Sequence, residues 1–117
     1  MKDSILLTRS KAFALRVVRL YKYLRDRKES VIAKQMLRSG TSIGANIAES
    51  RYAQSKSDFA SKLQIALKEA AETEYWLELL KDGELVESSP AFASLCVDCI
   101  ELIKLLTASV KTAKEDA

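Results

Sequence analysis

Four long amphipathic stretches, separated by short polar breaks, predict an all-α protein: an antiparallel up-down-up-down four-helix bundle forming one domain over residues 1–117. Apolar residues recur every three to four positions in each stretch, the spacing of one helical face. Three Gly and one Pro are too few turn formers for a β-rich chain of this size. The stretches are similar in length and their connections are short, which favours antiparallel neighbours.

The first helix is expected from about Thr8 to Arg27. Phe13, Val17, Leu20 and Leu24 form its apolar stripe, widened by Ala14 and Tyr21. At about 100° per residue, Arg9, Arg16, Arg19, Lys22 and Arg27 are expected on the opposite arc, with Leu15, Val18 and Tyr23 on or beside it. The second helix, about Ser30 to Tyr52, opens on Ser30 as N-cap and carries Ile32, Met36, Ile43 and Ile47. Its interior holds Ser39-Gly40-Thr41-Ser42-Ile43-Gly44, where each Gly costs about 1 kcal/mol relative to Ala. Gly40 and Gly44 share one face, and Ser and Ala residues adjoin them. A close helix–helix approach therefore explains them better than a kink.

The third helix is expected from about Ser57 to Lys81, with Phe59, Leu63, Ala66, Ala70, Leu77 and Leu80 in core positions, joined by Ile65 and Trp76. Ser55 and Asp58 have the spacing of a capping box, Asp standing in for the usual Glu, and Asp82-Gly83 ends the helix. Ser88-Ser89-Pro90 supplies an N-cap and a first-turn proline for the fourth helix, residues 90–113. Its stripe is Phe92, Leu95, Cys96, Cys99, Leu102, Ile103, Leu106 and Val110, and the tail from Lys114 is expected to fray.

Composition excludes several function classes. No apolar run approaches the roughly 18–20 residues of a membrane span. The stretch Met1-Lys2-Asp3-Ser4-Ile5-Leu6-Leu7 is too short in apolar residues for a signal peptide, so a cytoplasmic protein is expected. The chain has no histidine, which removes the commonest general base and the commonest metal ligand. No enzyme activity, cofactor, metal or small-molecule substrate is expected.

Three candidate constellations read as structure. Cys96-Val97-Asp98-Cys99 is formally a C-x-x-C, but zinc needs two more ligands and a thioredoxin-like motif needs a βαβ setting. Both thiols fall near the apolar face and read as core. Ser42, Asn46 and Glu49 share a helix face and read as an inter-helix hydrogen-bond network. Glu69, Glu72, Glu74 and Glu78 lack the Glu-x-x-His pattern of a di-iron bundle. They are expected on a solvated face or paired with the basic first helix.

Charge is the informative feature. Residues 1–28 carry nine Lys or Arg against two Asp, a net +7, whereas residues 55–85 carry four basic and seven acidic groups, a net −3. Such asymmetry suits a polyanion partner or head-to-tail contact between subunits. Arg9, Arg16, Arg19, Lys22 and Arg27 are the candidate phosphate contacts, since Arg makes bidentate phosphate bonds. Tyr21 and Tyr23 lie close enough along the chain to offer stacking surfaces for unpaired bases.

The segment Ser42-Ile43-Gly44-Ala45-Asn46-Ile47-Ala48-Glu49 closely resembles the signature of the bacterial S23 family, encoded by intervening sequences in 23S ribosomal RNA genes or by stand-alone relatives. Lys11-Ala12-Phe13-Ala14-Leu15-Arg16, Gln35-Met36-Leu37-Arg38 and Glu72-Thr73-Glu74-Tyr75-Trp76-Leu77 extend the likeness over nearly the whole chain. It is weakest after Asp82, where family members often carry a Gly-Tyr pair, and Ser50 stands where many have Gly. The resemblance implies a four-helix bundle assembled as a homopentamer and associated with nucleic acid, most simply RNA. It is more distantly similar to the pentameric accessory proteins of diversity-generating retroelements. Ser42, Asn46 and Glu49 carry over as signature positions with structural roles.

Overall fold

The computed structural model describes residues 2–117, with side chains from Ile5 onward; Met1, which heads the stretch weighed as a signal peptide, lies outside the described residues. The helices are α1 (Lys2–Asp26), α2 (Val31–Ser50), α3 (Lys56–Asp82) and α4 (Pro90–Asp116). They pack as a ring in sequence order, α1 on α2, α2 on α3, α3 on α4, with α4 closing more lightly onto α1. The long dimension, 45 Å, is close to one helix length at about 1.5 Å per residue, so the four lie side by side.

The core takes the predicted stripe from each helix, except that Ile65, expected in the α3 core, is exposed at the surface. Phe13, Val17 and Leu24 of α1 meet Met36, Ile43 and Ile47 of α2, Leu63, Leu77 and Leu80 of α3, and Leu95, Leu102 and Leu106 of α4 in one buried cluster. α1 starts six residues before the expected Thr8. The reason is Leu6, which sits two turns ahead of Phe13 on the same face and is 2% exposed. α4 continues past residue 113 through Asp116, with Ala113 buried.

The caps follow local chemistry, with one exception. Ser55 Oγ accepts from Asp58 N at 3.0 Å, while Asp58 Oδ2 accepts from Gln54 N at 3.0 Å, a capping box displaced by one residue. Ser89 Oγ accepts from Phe92 N at 3.1 Å ahead of Pro90. Ser30 occupies the N-cap position of α2 without capping it. Its backbone is already near-helical (φ −102°, ψ −22°), and its side chain makes no cap bond.

α1 and α3 end in paired reverse hydrogen bonds of the Schellman type. Glu29 N bonds Leu24 O and Lys28 N bonds Arg25 O, both at 2.9 Å; Leu85 N and Glu84 N bond Leu80 O and Lys81 O in the same pattern. The left-handed residue is not a glycine at either end: Lys28 has φ 66° and Glu84 has φ 54°. Gly83 itself is near-helical, and what demands glycine there is proximity, since a Cβ would lie 2.9 Å from Leu79 O.

The α1–α2 seam is where the two interior glycines act. A Cβ on Gly40 would lie 2.9 Å from Val17 Cγ1, and one on Gly44 would lie 3.3 Å from Ser10 Oγ. Fully buried Ser10 bonds its own helix at Leu7 O, so it enters the seam without an orphaned hydroxyl. The close approach expected from the sequence is therefore made, and α1 is the partner.

Candidate nucleic-acid interface

α1 is held on one side by the glycine seam, and this fixes which of its cations face outward. Arg9, Arg19, Lys22 and Arg27 are exposed and make no ion pair among the described residues. Lys11 and Lys28 share that condition, so the exposed basic set is wider than the five predicted residues.

Arg16 departs from the expected single outward arc. It follows Phe13 by three residues, about 300° round the helix, which places it on the flank beside the core and facing α4. Its guanidinium donates to Asp98 Oδ2 at 2.5 Å, Ser94 Oγ at 3.3 Å and Ala91 O at 2.8 Å. It clamps α1 to α4, the lightest packing of the ring. Arg19 and Lys22 lie farther round the helix and are exposed.

Aromatic rings support the C-terminal cations. The Arg27 guanidinium stacks over Tyr23, 3.6 Å from the ring centroid, and Arg25 lies 6.0 Å from Tyr21. A cation held over a ring face in this way gains from the ring's negative face, and Arg27 makes no ion pair among the described residues. Between α1 and α4, beside the α3–α4 connection, lies a groove of about 450 Å³ lined by Arg19, Leu20, Tyr23, Phe92 and Leu95.

The signature residues do not form the inter-helix network expected of them. Ser42 Oγ donates to Arg38 O at 2.7 Å and Asn46 Nδ2 donates to Ser42 O at 2.9 Å, both one turn back in α2. Short polar side chains in a helix find the carbonyl four residues earlier before they find a neighbour. Only Glu49 crosses, accepting from Lys62 Nζ of α3 at 3.2 Å. The buried polar link between α2 and α3 is Ser39 with Thr73, their hydroxyl oxygens 2.8 Å apart and Thr73 also bonding Glu69 O. Its sequence signal was a hydroxyl residue on each apolar face.

The acidic residues of α3 divide in two. Glu69 and Glu72 pair with Arg38 of α2, not with the basic α1. The Arg38 and Trp76 hydrogen bonds together hold the Glu72 carboxyl below the usual carboxylate range. Glu74 and Glu78 make no ion pair among the described residues. No group of carboxylates and thiols able to hold a metal occurs among the described residues. Cys99 is fully buried with its thiol pushed up to about 12 by burial, and half-buried Cys96 is also raised by burial, so neither is an activated nucleophile.

Among the described residues, no helix is long and apolar enough to cross a membrane. No curated protein matches the chain. A solved structure of a protein of unknown function from the S23 ribosomal protein family of Bacteroides thetaiotaomicron VPI-5482 is 53% identical, covers 95% of this chain and 99% of its own, and superposes with a TM-score of 0.89. The family model described as 23S rRNA-intervening sequence protein matches residues 2–108, from the start of α1 into the last turns of α4. The chain thus belongs to the 23S rRNA-intervening sequence protein family, the S23 family.

Proposed function

We propose that this protein is a non-enzymatic, RNA-associated oligomer of the bacterial cytoplasm, a homopentamer of the kind the S23 resemblance implies. Arg9, Arg19, Lys22 and Arg27 contact phosphates, while Arg16 holds α1 against α4. The observation that carries the reading is that Arg9, Arg19 and Lys22 of α1, and Arg27 just after it, are exposed and make no ion pair among the described residues, in a segment of net +7. A single patch of this size binds weakly, and five copies on one assembly raise the effective concentration and give avidity. The absence of histidine from the chain supports the non-enzymatic part.

The test is fluorescence anisotropy of a structured ribosomal-RNA fragment at several salt concentrations, with the mass of the assembly followed by light scattering. Binding is expected to weaken steeply with salt. Replacing Arg19 and Lys22 by Glu is expected to weaken it further and to flatten the slope by about 0.7–0.9 for each phosphate the variant no longer neutralises. An unchanged affinity in that variant removes α1 from the interface.

A second reading is a protein-interaction adaptor whose basic α1 meets the acidic α3 of a neighbour. Leu15, 50% exposed beside the cations, and Glu74 and Glu78, which make no ion pair among the described residues, favour it. An assembly that dissociates with salt and binds no RNA would select this reading.

A further inference from the structure

The groove between α1 and α4 has features that a phosphate-binding surface alone does not require. Its floor is apolar, built from Leu20, Phe92 and Leu95. Tyr23 stands at its edge and lines a second cavity of about 850 Å³ that continues past Arg27. At about 450 Å³ it falls within the 300–1,000 Å³ range of pockets that accept small ring systems.

Its polar groups sort by location. Arg16, in the wall, is held by three hydrogen bonds, to Asp98, Ser94 and Ala91 O. Glu87, also in the lining, is an acceptor only and repels a phosphate. Arg19 lines the first cavity, and Arg27 and Lys81 line the second; none of the three makes an ion pair among the described residues. A group that is flat and apolar on its faces, carries N–H donors on its edge and is tethered to phosphates outside matches this arrangement.

We infer that the α1–α4 groove receives an unpaired nucleobase of a bound RNA strand, with the flanking phosphates on Arg19 and Arg27. The inference rests on the RNA-association reading and narrows it to single-stranded or looped RNA. Bases inside a duplex are stacked and paired and do not enter such a groove. Glu87 accepts from exocyclic amino groups, which adenine, cytosine and guanine carry and uracil lacks.

The experiment compares an unstructured adenosine-and-cytidine RNA strand with a blunt RNA duplex of equal phosphate number, by anisotropy on the full chain at one salt concentration. The single strand is expected to bind about tenfold tighter, the range of one stacked base. Ala91→Phe fills the groove from the exposed start of α4 without changing charge, and is expected to abolish that preference while leaving duplex binding unchanged. Circular dichroism and light scattering check that the variant folds and assembles. A photoreactive 8-azidoadenosine in the strand, which keeps the exocyclic amino group, is expected to cross-link to the peptides carrying Tyr23 or Phe92 of the unaltered protein. Equal, salt-sensitive binding of both RNAs, or cross-links confined to other helices, would overturn the base-binding groove and leave the phosphate surface standing. Binding of neither RNA by a well-formed assembly would overturn both.

Discussion

Gly40→Ala tests the packing of the α1–α2 seam most directly. By helix propensity alone this interior substitution stabilises by about 1 kcal/mol. The seam opposes it. The new Cβ would lie 2.9 Å from Val17 Cγ1 and 3.1 Å from Cγ2, whereas carbon–carbon contacts settle at about 3.5–4.0 Å. The helices must part by roughly 0.6–1.1 Å, or Val17 must rotate. Rotation is costly because a β-branched side chain in a helix has one strongly preferred rotamer, and Val17 is fully buried. Overpacking of this kind costs about 1–3 kcal/mol. The upper half of that range applies, for a net loss of about 1–2 kcal/mol after the propensity gain. For a chain of this size the melting temperature falls by about 4–8 °C.

Urea or thermal unfolding of Gly40→Ala, Val17→Ala and the double variant completes the cycle. The double variant is expected to be about 2 kcal/mol less destabilised than the sum of the singles, because each change relieves the other. Gly44→Ala is the control. Its Cβ meets Ser10 Oγ at 3.3 Å and Ser10 Cβ at 3.6 Å, so it is expected within about 1 kcal/mol of the parent protein. A Gly40→Ala protein more stable by the full propensity gain, with no coupling to Val17, would refute the reasoning.

Three further outcomes follow from local geometry. Glu84→Gly is expected to raise the melting temperature by about 2–4 °C, because glycine occupies the left-handed φ of 54° without the Cβ penalty; an unchanged or lower value in calorimetry counts against this account of the α3 terminus. The Glu72 carboxyl is held low in the folded protein, so its contribution to stability is present above the unfolded carboxylate range and lost as pH falls through the folded value. Emission of Trp76, the single tryptophan, is expected to titrate below the usual carboxylate range and to lose that transition in Glu72→Gln. Cys96 is expected to react slowly with a thiol reagent at pH 8, and Cys99, at about 12 and fully buried, only on unfolding; equal rates in the native protein would contradict its placement.

The sequence by itself determined the four helices, their order and most of the core, because apolar spacing of three and four residues is a local property that burial only ratifies. It also determined the Ser55 and Ser89 caps, where a side chain bonds a backbone N–H three residues away. The start of α1 also has a sequence signal, since Leu6 continues the stripe two turns ahead of Phe13. Only the tertiary structure decided the roles of the polar residues. Which partner Arg16, Arg38 or Glu49 finds depends on the angular position of each helix against its neighbour, and a rotation of a few tens of degrees exchanges solvent for Asp98. Ser42 and Asn46 turned inward to their own helix because the carbonyl one turn back was nearer than any neighbour. The charge of α1 was visible in the sequence. The division of that charge, with Arg16 clamping α4, Arg25 paired to Asp26 and Arg9, Arg19 and Lys22 exposed, depends on the glycine seam with α2, which sets the way α1 faces.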